Sequence, residues 1–223
     1  YLLNLTNFFQ VKKKSQLSNA RLGFITTAHG KINTPAFIFC GTKATVKSVL
    51  PSQLKLASTQ IILSNTYHLM LQPGPEIISK EGGLQNFTHW NGPMMTDSGG
   101  YQIFSLGYGS VSEEIKGKNN NIKRKSLIKI NEEGASFRNY INGDKVFLSP
   151  ERSIELQRDF GADLIFVLDE CTPFNVSKKY TEKSMYMSHR WAERCKKSFD
   201  SKFRNHEPTF GSSGKQSLYG IIQ

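Results

Sequence analysis

A segment near the middle of the chain indicates its architecture: Met94-Met95-Thr96-Asp97-Ser98-Gly99-Gly100-Tyr101-Gln102-Ile103-Phe104-Ser105. It begins as a short apolar strand after the turn sequence Asn91-Gly92-Pro93 and ends in an acid, a hydroxyl and two glycines. A carboxylate at the end of a buried strand is costly unless it binds something, and paired glycines let the backbone approach a ligand closely. Since an aromatic ring and an amide follow, the segment predicts a pocket for a flat, hydrogen-bonding molecule such as a nucleobase.

The simpler interpretation is an ordinary strand-to-helix turn in which Asp97 or Ser98 caps the next helix. Short motifs discriminate weakly, so the other predicted strands decide between the two. Three more apolar runs also end in polar residues: Asn65 follows Ile61-Ile62-Leu63, Asp169 and Glu170 follow residues 164–168, and Gln223 follows residues 218–222. Four such ends are hard to explain by packing alone.

The order of the predicted elements favours an α/β fold. Strands and helices alternate along most of the chain, which predicts a parallel sheet. Polar groups at the carboxyl ends of several parallel strands are how a (β/α)8 barrel builds its site. A doubly wound sheet is the alternative, but the chain lacks the glycine-rich nucleotide fingerprint of that fold.

Local signals place the individual elements. Residues 1–40 are predicted to form an antiparallel β layer, residues 41–223 the barrel units, and residues 106–148 a basic β insertion. Predicted features within them are a hairpin turn at His29-Gly30-Lys31, a strand at Thr45-Val46-Lys47, turns at Glu133-Gly134 and Asn142-Gly143, a helix from Ser149-Pro150 to Gly161, and a helix from Thr181 to Phe199. In that last helix a stripe of Met187, Trp191, Cys195 and Phe199 indicates core packing.

Composition and charge indicate a folded protein with a polyanionic partner. The 223-residue chain is 38% hydrophobic and 21% charged, which suits a packed core. Its net charge is +11, which favours nucleic acid, although a generally basic soluble protein is the alternative. The basic stretch over residues 116–129 is either an RNA contact or a solvated loop. No apolar run approaches the roughly 20 residues that span a bilayer.

The cysteines indicate a reducing compartment. Cys40, Cys171 and Cys195 are far apart and odd in number, so a disulfide framework is not expected and a cytoplasmic location fits. They form no close pair and no cluster with histidine, so the sequence predicts no zinc site within these residues.

Several segments together resemble the tRNA-guanine transglycosylase family, also called queuine tRNA-ribosyltransferases, in its bacterial form. They run in family order over nearly the whole chain: Ala28-His29-Gly30 with Thr34-Pro35, residues 41–47, residues 65–69 with Pro73-Gly74, and residues 96–102, 148–151, 169–173, 188–192 and 219–223. The resemblance implies a modified TIM barrel with a zinc subdomain, and a homodimer in the intact enzyme.

The activity implied by the resemblance is a base exchange in tRNA. Guanine at the wobble position of the anticodon would be replaced by a 7-deazaguanine precursor of queuosine. The implied mechanism is a double displacement through a covalent ribosyl-enzyme intermediate, with an aspartate as the nucleophile. Asp97 would be the general acid and base, protonating the leaving guanine and deprotonating the incoming base.

The resemblance also implies roles for the residues around Asp97. Tyr101 would stack on the base, while Ser98, Gly99 and Gly100 would line its pocket. Asn65 and Gln102 would hold the carboxylates in place.

A second group of residues would read the base. Asp169 would accept hydrogen bonds from the guanine-type N–H edge, and Gln223 would address the carbonyl on that edge. Glu170 and Cys171 resemble the bacterial pocket, which implies 7-aminomethyl-7-deazaguanine as the incoming base rather than queuine.

The chain departs from the family pattern at its end. The family's nucleophilic aspartate and its zinc ligands lie downstream of the strand that ends at Gln223. We therefore expect an incomplete barrel of about five strands that carries the base-binding half, no zinc ligand, and no activity when alone. Two alternatives stay open: a non-catalytic RNA-binding or partner subunit, and a degenerate fragment of the same family.

Overall fold

The computed structural model describes residues 8–108, 128–173, 176–201 and 216–222. Its first element is an antiparallel sheet of three strands: β1 (Phe9–Lys14), β2 (Arg21–Thr27) and β3 (Gly30–Thr34). The turn between β2 and β3 contains His29, and Gly30 there has a φ of +131°, a value that favours glycine. The predicted hairpin is confirmed.

Five strands form a parallel sheet in which spatial order follows sequence order. They are β4 (Phe39–Cys40), β5 (Ile62–Ser64), β6 (Met94–Thr96), β10 (Leu164–Phe166) and β11 (Ser217–Tyr219). The three central strands are short and largely buried, as their apolar sequences predict. A mixed α/β fold with a parallel sheet is therefore confirmed.

Helices follow the strands of this sheet. They are α1 (Pro51–Leu56), α2 (Thr66–Leu71), α3 (Pro75–Lys80), α4 (Leu84–Thr88), α5 (Gly100–Tyr108), α6 (Pro150–Phe160) and α7 (Lys178–Ser201). The bounds of α6 follow from its sequence, because the Ser149 hydroxyl accepts a hydrogen bond from the Arg152 N–H at 3.1 Å and Gly161 ends the helix with a φ of +74°. In α7 the predicted stripe is confirmed as core: Met187, Trp191 and Cys195 are buried, and Phe199 is partly buried against the same cluster.

The insertion contains a second antiparallel sheet of β7 (Lys129–Asn131), β8 (Gly134–Arg138) and β9 (Lys145–Leu148). Both predicted turns join its strands, the second of them at Asn142-Gly143. Helix α7 holds the β7–β8 turn in place, since the Arg190 guanidinium donates to both carboxylate oxygens of Glu132 in that turn, at 2.7 and 2.8 Å. Most of the basic stretch over residues 116–129 lies outside the described residues.

One strand prediction is wrong. Residues 45–47 form no strand but an irregular segment with a bend and a turn, and the edge of the parallel sheet is β4, which pairs with β5 through Phe39 and Cys40. Ala44 and Ser48 flank the predicted strand, and both have a φ of +62°, which interrupts an extended backbone. The sequence interpretation also assigned Phe39 to the antiparallel layer, whereas it pairs in parallel.

A buried carboxylate joins the antiparallel sheet of β1–β3 to the parallel sheet, at the amino ends of the parallel strands. The Asp163 side chain, which directly precedes β10, accepts hydrogen bonds from the His29 ring at 2.9 Å, from the Met94 N–H at 3.0 Å and from the Gln85 amide at 3.2 Å. The hydrogen bond to Asp163 raises the pKa of His29 above its ordinary value. Asp163 thus lies at the end of the strands away from Asp97.

No helix within the described residues has both the length and the hydropathy that crossing a membrane requires.

Stability should depend on pH through His29. Because the folded-state pKa is raised, the charged ring stabilises the fold fully below about pH 6.5 and loses this contribution as the pH rises through the raised pKa. We expect His29→Ala to lower the free energy of unfolding by about 1–3 kcal/mol at pH 6 and by less at pH 8. Urea unfolding at both values measures this, with the exposed His189→Ala as control. An equal loss at both pH values would contradict the charged pair.

Candidate functional site

Asp97 directly follows β6, and hydrogen-bond donors surround its carboxylate. One oxygen, Oδ2, accepts from the Asn65 amide at 2.5 Å and from the Gln102 amide at 3.0 Å. The other, Oδ1, accepts from the backbone N–H of Thr66 at 2.8 Å. These partners are uncharged, so they hold the carboxyl in place without supplying a positive charge that would keep it ionised.

The register of the parallel strands brings these groups together. Ser64 of β5 pairs with Thr96 of β6, so the next residue of each strand, Asn65 and Asp97, lies at the same level. Gly99 has a φ of +89°, which lets the chain reverse into α5 and returns Gln102 to the carboxylate. The capping interpretation holds in part, because the Ser98 hydroxyl accepts from the N–H of Gly100, the first residue of α5. The Asp97 carboxylate accepts both from the backbone of Gly99, just before α5, and from the first residue of α2.

Burial raises the pKa of the Asp97 carboxyl, and the hydrogen bonds from Asn65, Thr66 and Gln102 lower it by less. The residue as a whole retains some exposed surface, but its carboxyl oxygens are enclosed, and that enclosure controls the ionisation. A carboxyl with a raised pKa holds a proton at a higher pH and is suited to general acid and base chemistry.

The loop after β10 lies directly against the Asp97 segment. A Cβ atom built on Gly100 would lie 2.6 Å from the Asp169 carbonyl oxygen and 3.0 Å from its Oδ1, so no larger residue fits without a backbone shift. Two of the predicted strand ends, around Asp97 and Asp169, are thus in contact. A third strand end, Asn65, is connected to them because its amide donates to the Asp97 carboxylate. The fourth, Gln223, lies outside the described residues.

Helix α7 holds the Asp169 loop through side-chain hydroxyls spaced four residues apart. The Glu170 N–H donates to the Ser188 hydroxyl at 3.0 Å, and the Tyr180 hydroxyl donates to the Glu170 carboxylate. The hydroxyls of Thr172 and Ser184 lie 2.7 Å apart. Cys171, between these anchors, is half-buried and lines a small cavity together with Asp169 and Gly100.

An open pocket of about 470 Å³ extends from Asp97 toward solvent. Tyr101 stands on its rim with 51% of its surface exposed, whereas Ser98 is buried and its hydroxyl accepts from the Gly100 N–H at 3.3 Å. Gly99 is buried against Leu148. The full lining is Cys40, Thr42, Asn65, Tyr67, His68, Asp97, Tyr101, Gln102, Ser105 and Tyr140.

Sequence reasoning missed part of this pocket. Tyr140 comes from the β8–β9 turn of the insertion, and its hydroxyl lies 3.4 Å from the His68 ring. Burial and the nearby charge of Lys43 lower the pKa of His68. His68 stands in a segment that the family resemblance used, but nothing in the local sequence indicates that the distant Tyr140 reaches it.

The described residues contain no cluster of three or more histidine, cysteine or acidic side chains placed to hold a metal ion. The zinc site that the family implies therefore finds no fit among them.

The ionisation of Asp97 should respond to its amide partners. Asn65→Ala removes a hydrogen bond that lowers the pKa of Asp97, so we expect the pKa to rise. The measurement is a carbon-13 NMR titration of the aspartate carboxyls, with the Asp97 signal assigned by its loss in Asp97→Asn. As a control, Asn142→Ala on the exposed hairpin should leave the midpoint unchanged. A midpoint that falls in Asn65→Ala would contradict the described geometry.

Comparisons with known proteins identify the family of this chain. The family model for queuine tRNA-ribosyltransferase matches residues 15–223. Proteins of that name from Roseiflexus sp. (strain RS-1) and Acetivibrio thermocellus are 41% and 43% identical over 98% and 96% of this chain, which cover 55% and 50% of their own lengths. One from Staphylococcus aureus (strain JH9) is 44% identical over 95% of this chain and 48% of its own length. The chain spans about half the length of these relatives, and it belongs to the queuine tRNA-ribosyltransferase family.

Proposed function

We propose that this chain forms the base-binding half of an enzyme that replaces guanine at the wobble position of tRNA with a 7-deazaguanine precursor of queuosine. The observation that carries the proposal is the enclosed carboxyl of Asp97 in contact, through Gly100, with the loop that presents Asp169. Asp97 lines the open pocket and Asp169 lines the small cavity on the other side of Gly100, so a proton-handling group and a hydrogen-bond acceptor are neighbours, which supports the proposal. The family membership supplies the substrate class.

Asp97 handles the proton of the base in the proposed reaction. As the glycosidic C–N bond breaks, its electron pair goes to the leaving guanine, and the Asp97 carboxyl donates a proton to the base. The resulting carboxylate is stabilised by the donors already bonded to it, the Asn65 and Gln102 amides and the Thr66 N–H. The incoming base then returns its proton to Asp97, so the carboxyl ends as it began.

The ribose is held by a second carboxylate during this exchange. An aspartate oxygen bonds to the anomeric carbon as guanine leaves and is displaced by the incoming base, a double displacement. We place that nucleophile outside residues 1–223, because the aspartates other than Asp97 and Asp169 are unsuited by position. Asp159 and Asp163 both precede β10, at the amino ends of the strands, and Asp144 and Asp200 are exposed on a hairpin and a helix end.

Specificity for the base falls to the Asp169 loop and the pocket rim. Asp169 accepts hydrogen bonds from the N–H edge of the base, Gln223 addresses its carbonyl, and Tyr101 stacks on its face. Cys171 beside them suits the small substituent of 7-aminomethyl-7-deazaguanine rather than queuine. The tRNA itself is attracted by the net charge of +11.

The intact enzyme is proposed to be a homodimer, as the family resemblance implies. A cytoplasmic location is proposed because Cys40, Cys171 and Cys195 are free thiols. Its zinc ligands are assigned to residues beyond this chain, and no step above involves zinc.

The role of Asp169 is tested by guanine binding. Asp169→Asn replaces an acceptor by a donor against the N–H groups of the base, a mismatch of roughly 1–3 kcal/mol, so we expect guanine affinity to fall about tenfold or more. Titration calorimetry on the 223-residue chain measures this, with circular dichroism to confirm the fold. Asp200→Asn, at the exposed end of α7, is the matched control. Unchanged affinity in Asp169→Asn with an intact fold would refute the assignment.

The chain alone should not exchange the base. Double displacement requires one group at the anomeric carbon and another at the base, and Asp97 serves only the second. We expect no incorporation of radiolabelled guanine into cognate tRNA by the purified chain. Turnover that survives removal of co-purifying full-length enzyme and disappears in Asp97→Ala would overturn this prediction.

A further inference from the structure

The two strands that carry the site loops, β6 and β10, share little backbone pairing. They are in register through one residue pair, Leu164 with Met95, whereas β5 and β6 are paired at three positions. Asp97 lies two residues beyond Met95, and Asp169 lies three residues beyond Phe166, the end of β10. The relative placement of the two carboxylates therefore depends on something other than the strand ladder.

A buried glutamine on α6 bridges these strands. Gln157 has no exposed surface, and its amide oxygen accepts from the Phe166 N–H at 2.9 Å while its nitrogen donates to the Phe166 carbonyl at 2.8 Å. The same oxygen accepts from the Thr96 hydroxyl at 3.2 Å. The side chain thus bonds both backbone groups of β10, as a neighbouring strand would, and the last residue of β6 as well.

Ser153, one turn earlier on α6, extends this bridge to the Asp97 loop. Its hydroxyl lies 3.2 Å from the Gln157 nitrogen and donates to the Ser98 carbonyl at 2.8 Å. A continuous run of hydrogen bonds therefore leads from Phe166 through Gln157 and Ser153 to Ser98. Every donor and acceptor of the Gln157 amide has a partner, which makes the bridge rigid.

We propose that Gln157 and Ser153 are positioning residues that set the spacing between the Asp97 loop and the Asp169 loop. The inference rests on the proposed function, in which both loops address a single planar base. A rigid base tolerates little error in that spacing, since a displacement of about 1 Å in a reacting group can reduce a rate on the order of 100-fold. Gln157 touches neither carboxylate and acts through the backbone on either side.

A purely structural role for Gln157 is the competing explanation, and the chain contains a matched control. Gln85 is also a buried glutamine, but it donates to Asp163 at the opposite end of the sheet. Replacing either glutamine by methionine keeps similar side-chain volume and removes its hydrogen bonds. Both substitutions should lower stability, whereas only the one at Gln157 should affect the site.

The test compares the parent chain, Gln157→Met and Gln85→Met by guanine calorimetry and by the carbon-13 titration of Asp97. We expect Gln157→Met to weaken guanine binding at least tenfold and to shift the Asp97 midpoint toward the ordinary aspartate range, since a loosened loop admits water. Gln85→Met should stay within twofold of the parent in affinity and keep the parent midpoint. Equal changes in both variants, or no change in Gln157→Met, would overturn the proposal.

Two further comparisons keep the outcome decisive. If Gln157→Met does not fold, Ser153→Ala takes its place. It removes the links of the Ser153 hydroxyl to Ser98 and to Gln157 but keeps the bonds of Gln157 to Phe166 and Thr96, and an affinity loss of about threefold is expected. If the parent chain binds no guanine, the proposed function fails. The positioning role is then judged by the Asp97 midpoint alone, and it is refuted if Gln157→Met or Ser153→Ala leaves that midpoint unchanged.

Discussion

The placement of the β1–β3 sheet against the parallel sheet depends on the hydrogen bonds of the buried Asp163 carboxylate. This side chain bonds His29 in the β2–β3 hairpin, Met94 at the start of β6 and Gln85 on α4. Asp97, at the other end of the same strands, keeps some exposed surface, and the donors bonded to its carboxyl are uncharged. Asp163 is therefore paired with the His29 ring, which can carry the opposite charge, and this pair stabilises the fold. Asp97 has no such charged partner among its hydrogen-bond donors, so it can change its protonation state beside the open pocket, as acid and base chemistry requires.

Much of the site was predictable because parallel strands place equivalent positions at one edge. Asn65 and Asp97 each follow a short apolar run, and the register of β5 and β6 makes them neighbours. The ends of α6 were equally predictable, since serine and proline favour a helix start at residues 149 and 150 and glycine favours a helix end at residue 161. The strand predicted at residues 45–47 failed because the left-handed backbone at Ala44 and Ser48 has no signature in those residue types.

Contacts between distant segments were not predictable. Tyr140 enters the pocket only because the insertion folds back toward α2. Gln157 looks like a solvent-facing polar residue of an amphipathic helix, and its burial depends on the gap between β6 and β10. Helix α7 supports two parts of the site at once, since its hydroxyls bond the Asp169 loop while Arg190 holds the first turn of the insertion. A periodic stripe reveals the packed face of such a helix but not what its polar faces hold.

The close approach of Gly100 to Asp169 restricts how this pocket could be altered by evolution or by protein engineering. Because the backbone of one loop fills the space beside the other, the two loops cannot be varied independently, and any side chain at residue 100 would force both to move. A change of pocket shape is therefore more accessible through Cys171, which lines the small cavity, and through Tyr101, which lines the open pocket. The hydrogen-bonded groups around Asp97 and the side chains that line the cavity beside Asp169 can thus be changed by separate substitutions, provided that residue 100 stays glycine.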